Sequence, residues 1–443
     1  MIRWRNIELY TVCIFITLTV IAFLQDYFNL RFAGANVFNA RLWAYFTIGV
    51  IAIRDVRVMF SPPMLVCYLL LIVFWGLSAL GHYDLQGVYT RKYYMLETQI
   101  LPFIVAILLN EHFLKAQRAP QLKIILSVGV IVYLVESILS IYLIYKYPDA
   151  VRGSEFQYTR ETTAMYEYMG LGDYSLVSSL PFLIAPLVLI VKKQNQTFGF
   201  KRYIWLVLLL IILFYSYKAV LVGPFLVALA TFILAMLGRA RVLGNVNIML
   251  TIALIALFIP RIWIGEFFYA LSDTIPNQEM KTKLSDLGLS FSQGIELESD
   301  INTSNEIESR ASRIPLTLGE FSKNPFVGTG RVVNSHVYWF NYLAQFGLLA
   351  FLPLFYALFV QTRRNMKVLD QDTRFYYSLT ILSFAVLGAI KAYAGFPIFI
   401  TGLFLCPALI YYVNTKETVP VYPASTRVPS PMMVQNQILP YKK

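Results

Sequence analysis

Long apolar runs alternate with short polar breaks along nearly the whole chain. A helix needs about 20 apolar residues to cross a bilayer, somewhat fewer when its ends are anchored. Runs of that kind predict twelve spans, at approximately 7–24, 38–53, 60–80, 94–110, 124–145, 174–191, 203–217, 219–237, 247–263, 337–360, 375–391 and 395–413. The stretches 203–237 and 375–413 are each interrupted by one charge, Lys218 and Lys391. A single helix of such length would overshoot the membrane, so each is read as a helical hairpin. The pattern therefore predicts an all-α fold, a polytopic transmembrane bundle over residues 1–413. The tail, 414–443, holds Pro420, Pro423, Pro429, Pro431 and Pro440 and reads as disordered.

The polar breaks carry a topological signal. With a cytoplasmic N-terminus, one set of breaks holds Arg3 and Arg5; Arg54 and Arg57; Lys115, Arg118 and Lys123; Lys192, Lys193, Lys201 and Arg202; Arg239 and Arg241; Arg363, Arg364, Lys367 and Arg374; and Lys416, Arg427, Lys442 and Lys443. That is more than half of the 37 basic residues, in short loops, as the positive-inside rule requires. Both termini are then cytoplasmic. No small-residue cleavage site follows the first run, so the first span is read as retained.

Composition agrees. Apolar residues make up 58% and charged residues 14%, with a mean hydropathy of +0.60; a soluble domain has about 25% charged residues. The net charge of +12 belongs first to topology rather than to a nucleic-acid partner. Cys13, Cys67 and Cys406 lie inside apolar runs without metal spacing.

Basic residues that topology does not require gather in two long outer loops. The loop at about 146–173 holds Lys146, Arg152 and Arg160; the loop at about 264–336, between spans 9 and 10, holds Lys281, Lys283, Arg310, Arg313, Lys323 and Arg331. Lys218 and Lys391 fall at the outer turns of the two hairpins. Loops of such length are usually functional or disordered. Within the second, Thr303 and Glu306 fit a capping box, and Glu306, Arg310 and Arg313 share one helical face. Pro315 kinks or ends that helix. Asn324-Pro325 is a stop, and Gly328-Thr329-Gly330 a tight turn. His336 stands at the mouth of the next span.

The stretch from Arg310 to Phe351, RASRIPLTLGEFSKNPFVGTGRVVNSHVYWFNYLAQFGLLAF, resembles the signature of the O-antigen polymerase and ligase superfamily. In that family a late periplasmic loop carries an arginine, Pro-x-x-Gly-x-Gly, a histidine opening a helix and a glycine eleven positions on. The matching positions here are Arg310 or Arg313, Pro325, Gly328, Gly330, His336 and Gly347. The chain departs at Val337, where the family often has Asn, at Gln345, where it often has an acid, and in lacking an aromatic soon after the arginine.

The resemblance implies a bacterial inner-membrane glycosyltransferase with a periplasmic active site. It would polymerise undecaprenyl-diphosphate-linked oligosaccharide repeats of O-antigen, capsule or exopolysaccharide, without a metal or other cofactor, with inversion. A chain-length regulator is an expected partner beside the bilayer and the lipid-linked glycan. The chemistry is coherent. No nucleotide sugar or ATP reaches the outer face, so the donor arrives activated as a lipid diphosphate. Arg and Lys suit the departing phosphates, and His suits a base at neutral pH. His336 and Arg310 are the candidate catalytic residues. Arg313, Arg331, Arg152, Arg160, Lys218 and Lys391 are candidate contacts to the diphosphate or an anionic sugar.

Each has a plainer reading. His336 can hydrogen-bond a carbonyl at a span end. Arg310 and Arg313 can pair with Glu306, and Arg152 and Arg160 with Glu155 and Glu161. Lys218 and Lys391 can snorkel, although a charge within an apolar hairpin is a functional hypothesis by default. Glu136, deep in a span, reads as a structural contact. Asp370-Gln371-Asp372 matches an Asp-x-Asp metal motif by chance, in a short inner loop. Two other functions stay open: a ligase transferring the glycan to lipid A core or protein, and a transporter or flippase of lipid-linked sugars.

Overall fold

The computed structural model describes residues 20, 31–32, 35–36, 40–79, 100–115, 119–146, 174–193, 202–218, 222–244, 261–274, parts of 281–288, 317–330, 337–390 and 395–418. They are helical apart from a two-residue antiparallel ladder, β1 (Arg31–Phe32) with β2 (Ala35–Asn36). The helices are α1 (Ala40–Arg54), α2 (Pro62–Ala79), α3 (Leu101–Asn110, continued by a π-helical turn Glu111–Lys115), α4 (Ala119–Lys146), α5 (Tyr174–Lys192), α6 (Arg202–Lys218), α7 (Val222–Gly244), α8 (Arg261–Thr274), α9 (Tyr338–Val368), α10 (Gln371–Ile390) and α11. The rod α11 runs Phe396–Ile400, a π turn Thr401–Leu405, and Cys406–Thr418.

Four of these helices are long and apolar enough to cross a membrane, within α4, α9, α10 and α11; α2, α3, α5, α6 and α7 contain shorter apolar segments. The apolar runs and the helices largely coincide. Both long stretches divide as the charges suggest, α6 from α7 around Lys218 and α10 from α11 around Lys391. The span expected at 7–24 (save Val20), residues 247–260 of the span expected at 247–263, most of both loops expected on the outer side and the tail beyond 418 lie outside the described residues. One boundary differs. The second outer loop, expected from 264, begins as helix α8, which reaches Thr274. Phe267, Phe268 and Tyr269 lie there between Glu266 and Asp273, a composition that suits an interface helix better than a loop.

The helices are apolar on more than one side. On α2, Met64, Cys67, Leu70 and Phe74 point inward at three- and four-residue spacing, while Leu65, Leu69, Ile72 and Trp75 are about half exposed or more. On α9, Leu352, Phe355, Tyr356 and Phe359 are likewise exposed. A helix that is apolar all round belongs in a core or a bilayer. At the centre, α5 and α11 are almost fully buried, α5 packing on α6, α7 and α10. Pro181 and Pro186 lie inside α5. A helical proline leaves the carbonyl four residues earlier without its partner. For Pro186 that is Phe182, whose carbonyl lies 3.5 Å from the Thr380 hydroxyl of α10, which also reaches the Tyr376 carbonyl at 3.2 Å. Glu136 is buried within α4, and next to it Tyr133 OH meets Ser179 Oγ at 2.7 Å and Thr401 Oγ1 of α11.

One end of the bundle is polar and gathers most of the basic breaks. Asp55 Oδ2 lies 3.3 Å from His112 Nδ1, Arg364 donates to Glu111 at 3.1 Å, and Lys193 lies 3.9 Å from Asp370. Lys192 donates to the carbonyls of Ala235 and Met236. These contacts bring the ends of α1, α3, α5, α7 and α9 together. Five of the basic segments grouped on one side by sequence thus meet at one end.

Candidate functional site

The clearest local construction is where the chain returns to the bundle at the end of the long loop expected at 264–336. A helical segment, 317–323, ends at Asn324, whose amide donates to the Phe321 carbonyl at 3.2 Å. Pro325 follows, and the Gly328 amide donates to the Asn324 carbonyl at 2.8 Å. Gly328 and Gly330 take φ of 73° and 69°, which favours glycine. Opposite this turn, α9 breaks at Gly347 (φ 67°, ψ −174°).

A helix break strands the carbonyls that end one half and the amides that begin the next. The turn satisfies both sets. The Thr329 amide donates to the Ala344 carbonyl at 2.9 Å and the Gly330 amide to the Gln345 carbonyl at 3.0 Å. In return, the Leu348 amide donates to the Pro325 carbonyl and the Leu349 amide to the Phe326 carbonyl, both at 2.9 Å. The approach requires bare α-carbons. A Cβ on Gly328 would land on the Gln345 carbonyl and 2.6 Å from the Gly347 nitrogen; one on Gly347 would land on the Gly328 nitrogen and the Phe326 carbonyl. Four motif positions, Pro325, Gly328, Gly330 and Gly347, thereby form one main-chain junction.

The first half of α9 is set firmly. Tyr338, Tyr342 and Phe346 are buried, the Phe346 ring meets Phe74 in a tilted contact at 5.1 Å between centroids, and Trp339 donates to the Ala385 carbonyl at 2.8 Å. Gln345, the departure from the family's acid, is buried, and its amide nitrogen has no hydrogen-bond partner among the described residues. The described residues on either side of 331–336 both bond to this half-helix: the Gly330 amide donates to Gln345, and the Val337 carbonyl accepts the Asn341 amide at 2.9 Å.

Most of the candidate catalytic and binding residues are not among those described. Arg152, Arg160, Arg310, Arg313, Arg331, His336 and Lys391 lie outside the described residues, as do Thr303, Glu306 and Pro315. Lys218 is the last residue of α6, described in its backbone alone.

At the opposite end, the fold assembles a polar cluster that the sequence reading missed. Asn110 and Asn365 exchange amide hydrogen bonds at 3.0 and 3.3 Å, and Asn365 also donates to Tyr377 OH at 3.1 Å. Gln361, one turn earlier on α9, donates to the Leu403 carbonyl in the π turn of α11 at 3.1 Å. With Glu111–Arg364 and Asp55–His112, the cluster ties α1, α3, α9, α10 and α11. Its signal was present: Asn110-Glu111-His112 ends an apolar run, and Gln361, Arg364 and Asn365 share a helix face. Asp370 has a capping role. Its carboxylate accepts from the Thr373 amide at 2.7 Å and from the Thr373 hydroxyl, at the start of α10. Partial burial alone would raise its pKa, but Thr373, Lys193 and Arg374 outweigh that and hold it below the ordinary aspartate value.

No family model matches the chain, and no curated protein matches it.

Proposed function

We propose that this protein is an inner-membrane polymerase of lipid-diphosphate-linked oligosaccharides. The observation that carries the reading is the junction of Pro325–Gly330 with the α9 break at Gly347. It gives the motif a physical purpose: both flanks of the stretch bearing Arg331 and His336 are anchored to one buried half-helix. The apolar helices and the convergence of basic segments at the opposite end support a site on the outer face.

In the proposed reaction, the acceptor sugar hydroxyl attacks the anomeric carbon of the donor chain. A carbon–oxygen bond forms there as the bond to the lipid diphosphate breaks. The diphosphate leaves with the electron pair, stabilised by Arg310 and its cationic neighbours, and the hydroxyl proton passes to His336. Attack opposite the leaving group inverts the anomeric carbon.

The test is replacement of Arg310 and His336 by Ala in cells, with polymer length read on gels and membrane insertion checked. Single repeat units attached to the acceptor are the expected phenotype. Normal polymer from both inserted variants defeats the proposed site, and lipid-linked polymer left unattached identifies a ligase instead.

A further inference from the structure

Where α5 and α7 finish, a cleft of about 290 Å³ opens, lined by Lys192, Lys193, Arg239, Asp372, Leu237 and Tyr376 among others. It exists because α7 breaks. Gly238, at φ 76° and ψ 168°, turns the chain out of its helical path. The Lys192 ammonium donates to the Ala235 carbonyl at 2.9 Å and the Met236 carbonyl at 2.5 Å, carbonyls that the break leaves without helical partners. Lys192 thus has a structural duty and shapes the wall. Lys193, 3.9 Å from Asp370, and Arg239 bring further positive charge, against Asp372 on the far wall. Met236 and Leu237 are more than 40% exposed beside the cleft, where the bundle turns apolar side chains outward.

We propose that this cleft binds a phosphate-bearing anionic amphiphile, its phosphate on Lys193 and Arg239 and its hydrocarbon along Leu237 and Met236. Arg offers phosphate a planar fork and Lys a point charge. Basic residues just inside a membrane surface attract anionic headgroups. The site lies at the other end of the bundle from the junction at Gly347, and it does not depend on the polymerase reading. A free phosphate would use the same cations, so the test separates the two sources.

Purified full-length protein in dodecylmaltoside micelles is titrated with dioleoylphosphatidylglycerol, dioleoylphosphatidylcholine or inorganic phosphate. Binding is read by native mass spectrometry and by the thermal unfolding midpoint. Phosphatidylglycerol is expected to bind and raise the midpoint, phosphatidylcholine to do neither. The double variant Lys193→Gln/Arg239→Gln should bind phosphatidylglycerol about thirtyfold more weakly, from two lost cations. Asp372→Asn should bind it about fivefold more tightly through removal of a like charge, and this variant carries the test if the double variant does not fold. Inorganic phosphate that binds alone, displaces the lipid and is lost in the double variant supports the site with a soluble phosphate as its source. Equal affinity for the two lipids, or affinity unchanged in the variants, overturns the proposal.

Discussion

Gly347 and Gly328 face each other with no room for a methyl group between them. An alanine at either position meets two penalties, a left-handed φ costing about 1–2 kcal/mol and a clash with main chain that cannot swing aside. Gly347→Ala and Gly328→Ala should each cost roughly 2 kcal/mol or more, seen as a lower unfolding midpoint in detergent. Gly319, which has open space around it, should accept Ala with little change. A different mechanism acts at Glu111. Arg364→Met leaves this buried carboxylate without its cation and should destabilise by roughly 3–5 kcal/mol, whereas the pair replacement Glu111→Gln/Arg364→Met should recover most of the loss. Asp370 supplies a pH dependence. Its folded pKa lies below its unfolded value, so its stabilisation is complete above about pH 4 and fades as pH falls through the folded value. Asp370→Asn should flatten the stability curve in that acidic window, measured as midpoint against pH.

Helices are where reading the chain succeeded and where it met its limit. Uninterrupted apolar runs in a low-dielectric medium have one way to satisfy their backbone, and that is helix. Hence α1, α2, α5 and α6 begin and end within a few residues of where the apolar runs do. Interruptions inside a run are harder. Gly347 stands inside a long, mostly apolar stretch, and no turn signal beside it distinguishes it from a glycine that continues a helix. Its break is dictated by a partner, the 325–330 turn, seventeen or more residues earlier in the chain. The amide and ion-pair contacts of Asn110, Glu111 and Arg364 span more than 250 residues, so spacing along the sequence could not pair them. The candidate arginines and His336 were legible only through resemblance, since charge in a loop does not by itself distinguish a substrate contact from a solvated face. On α10, Thr380→Val removes the hydroxyl that the Phe182 and Tyr376 carbonyls share and should cost about 1 kcal/mol, with the midpoint falling accordingly.

Across the whole molecule, charge and hydropathy divide along the bundle axis. The ends of α1, α3, α5, α7 and α9 collect Arg54, Lys192, Lys193, Arg239, Arg364 and Lys367, with Glu111 pairing Arg364, Asp370 near Lys193 and the Asn110–Asn365 amides buried among them. The proposed orientation places this end in the cytoplasm, which a fusion after Lys443 tests. A green fluorescent protein should fluoresce there, and an alkaline phosphatase should stay inactive; the reverse result would invert the molecule and remove the outer-face chemistry.

The rigidity of the 325–330 turn follows from how α9 is mended. Its severed backbone is spliced mainly by atoms that every amino acid carries, so the side chains of Phe326 and Val327 are free to change while the splice persists. The two opposed glycines are not. Among descendants of this chain they should vanish together or not at all, because either one alone has nothing left to fit against.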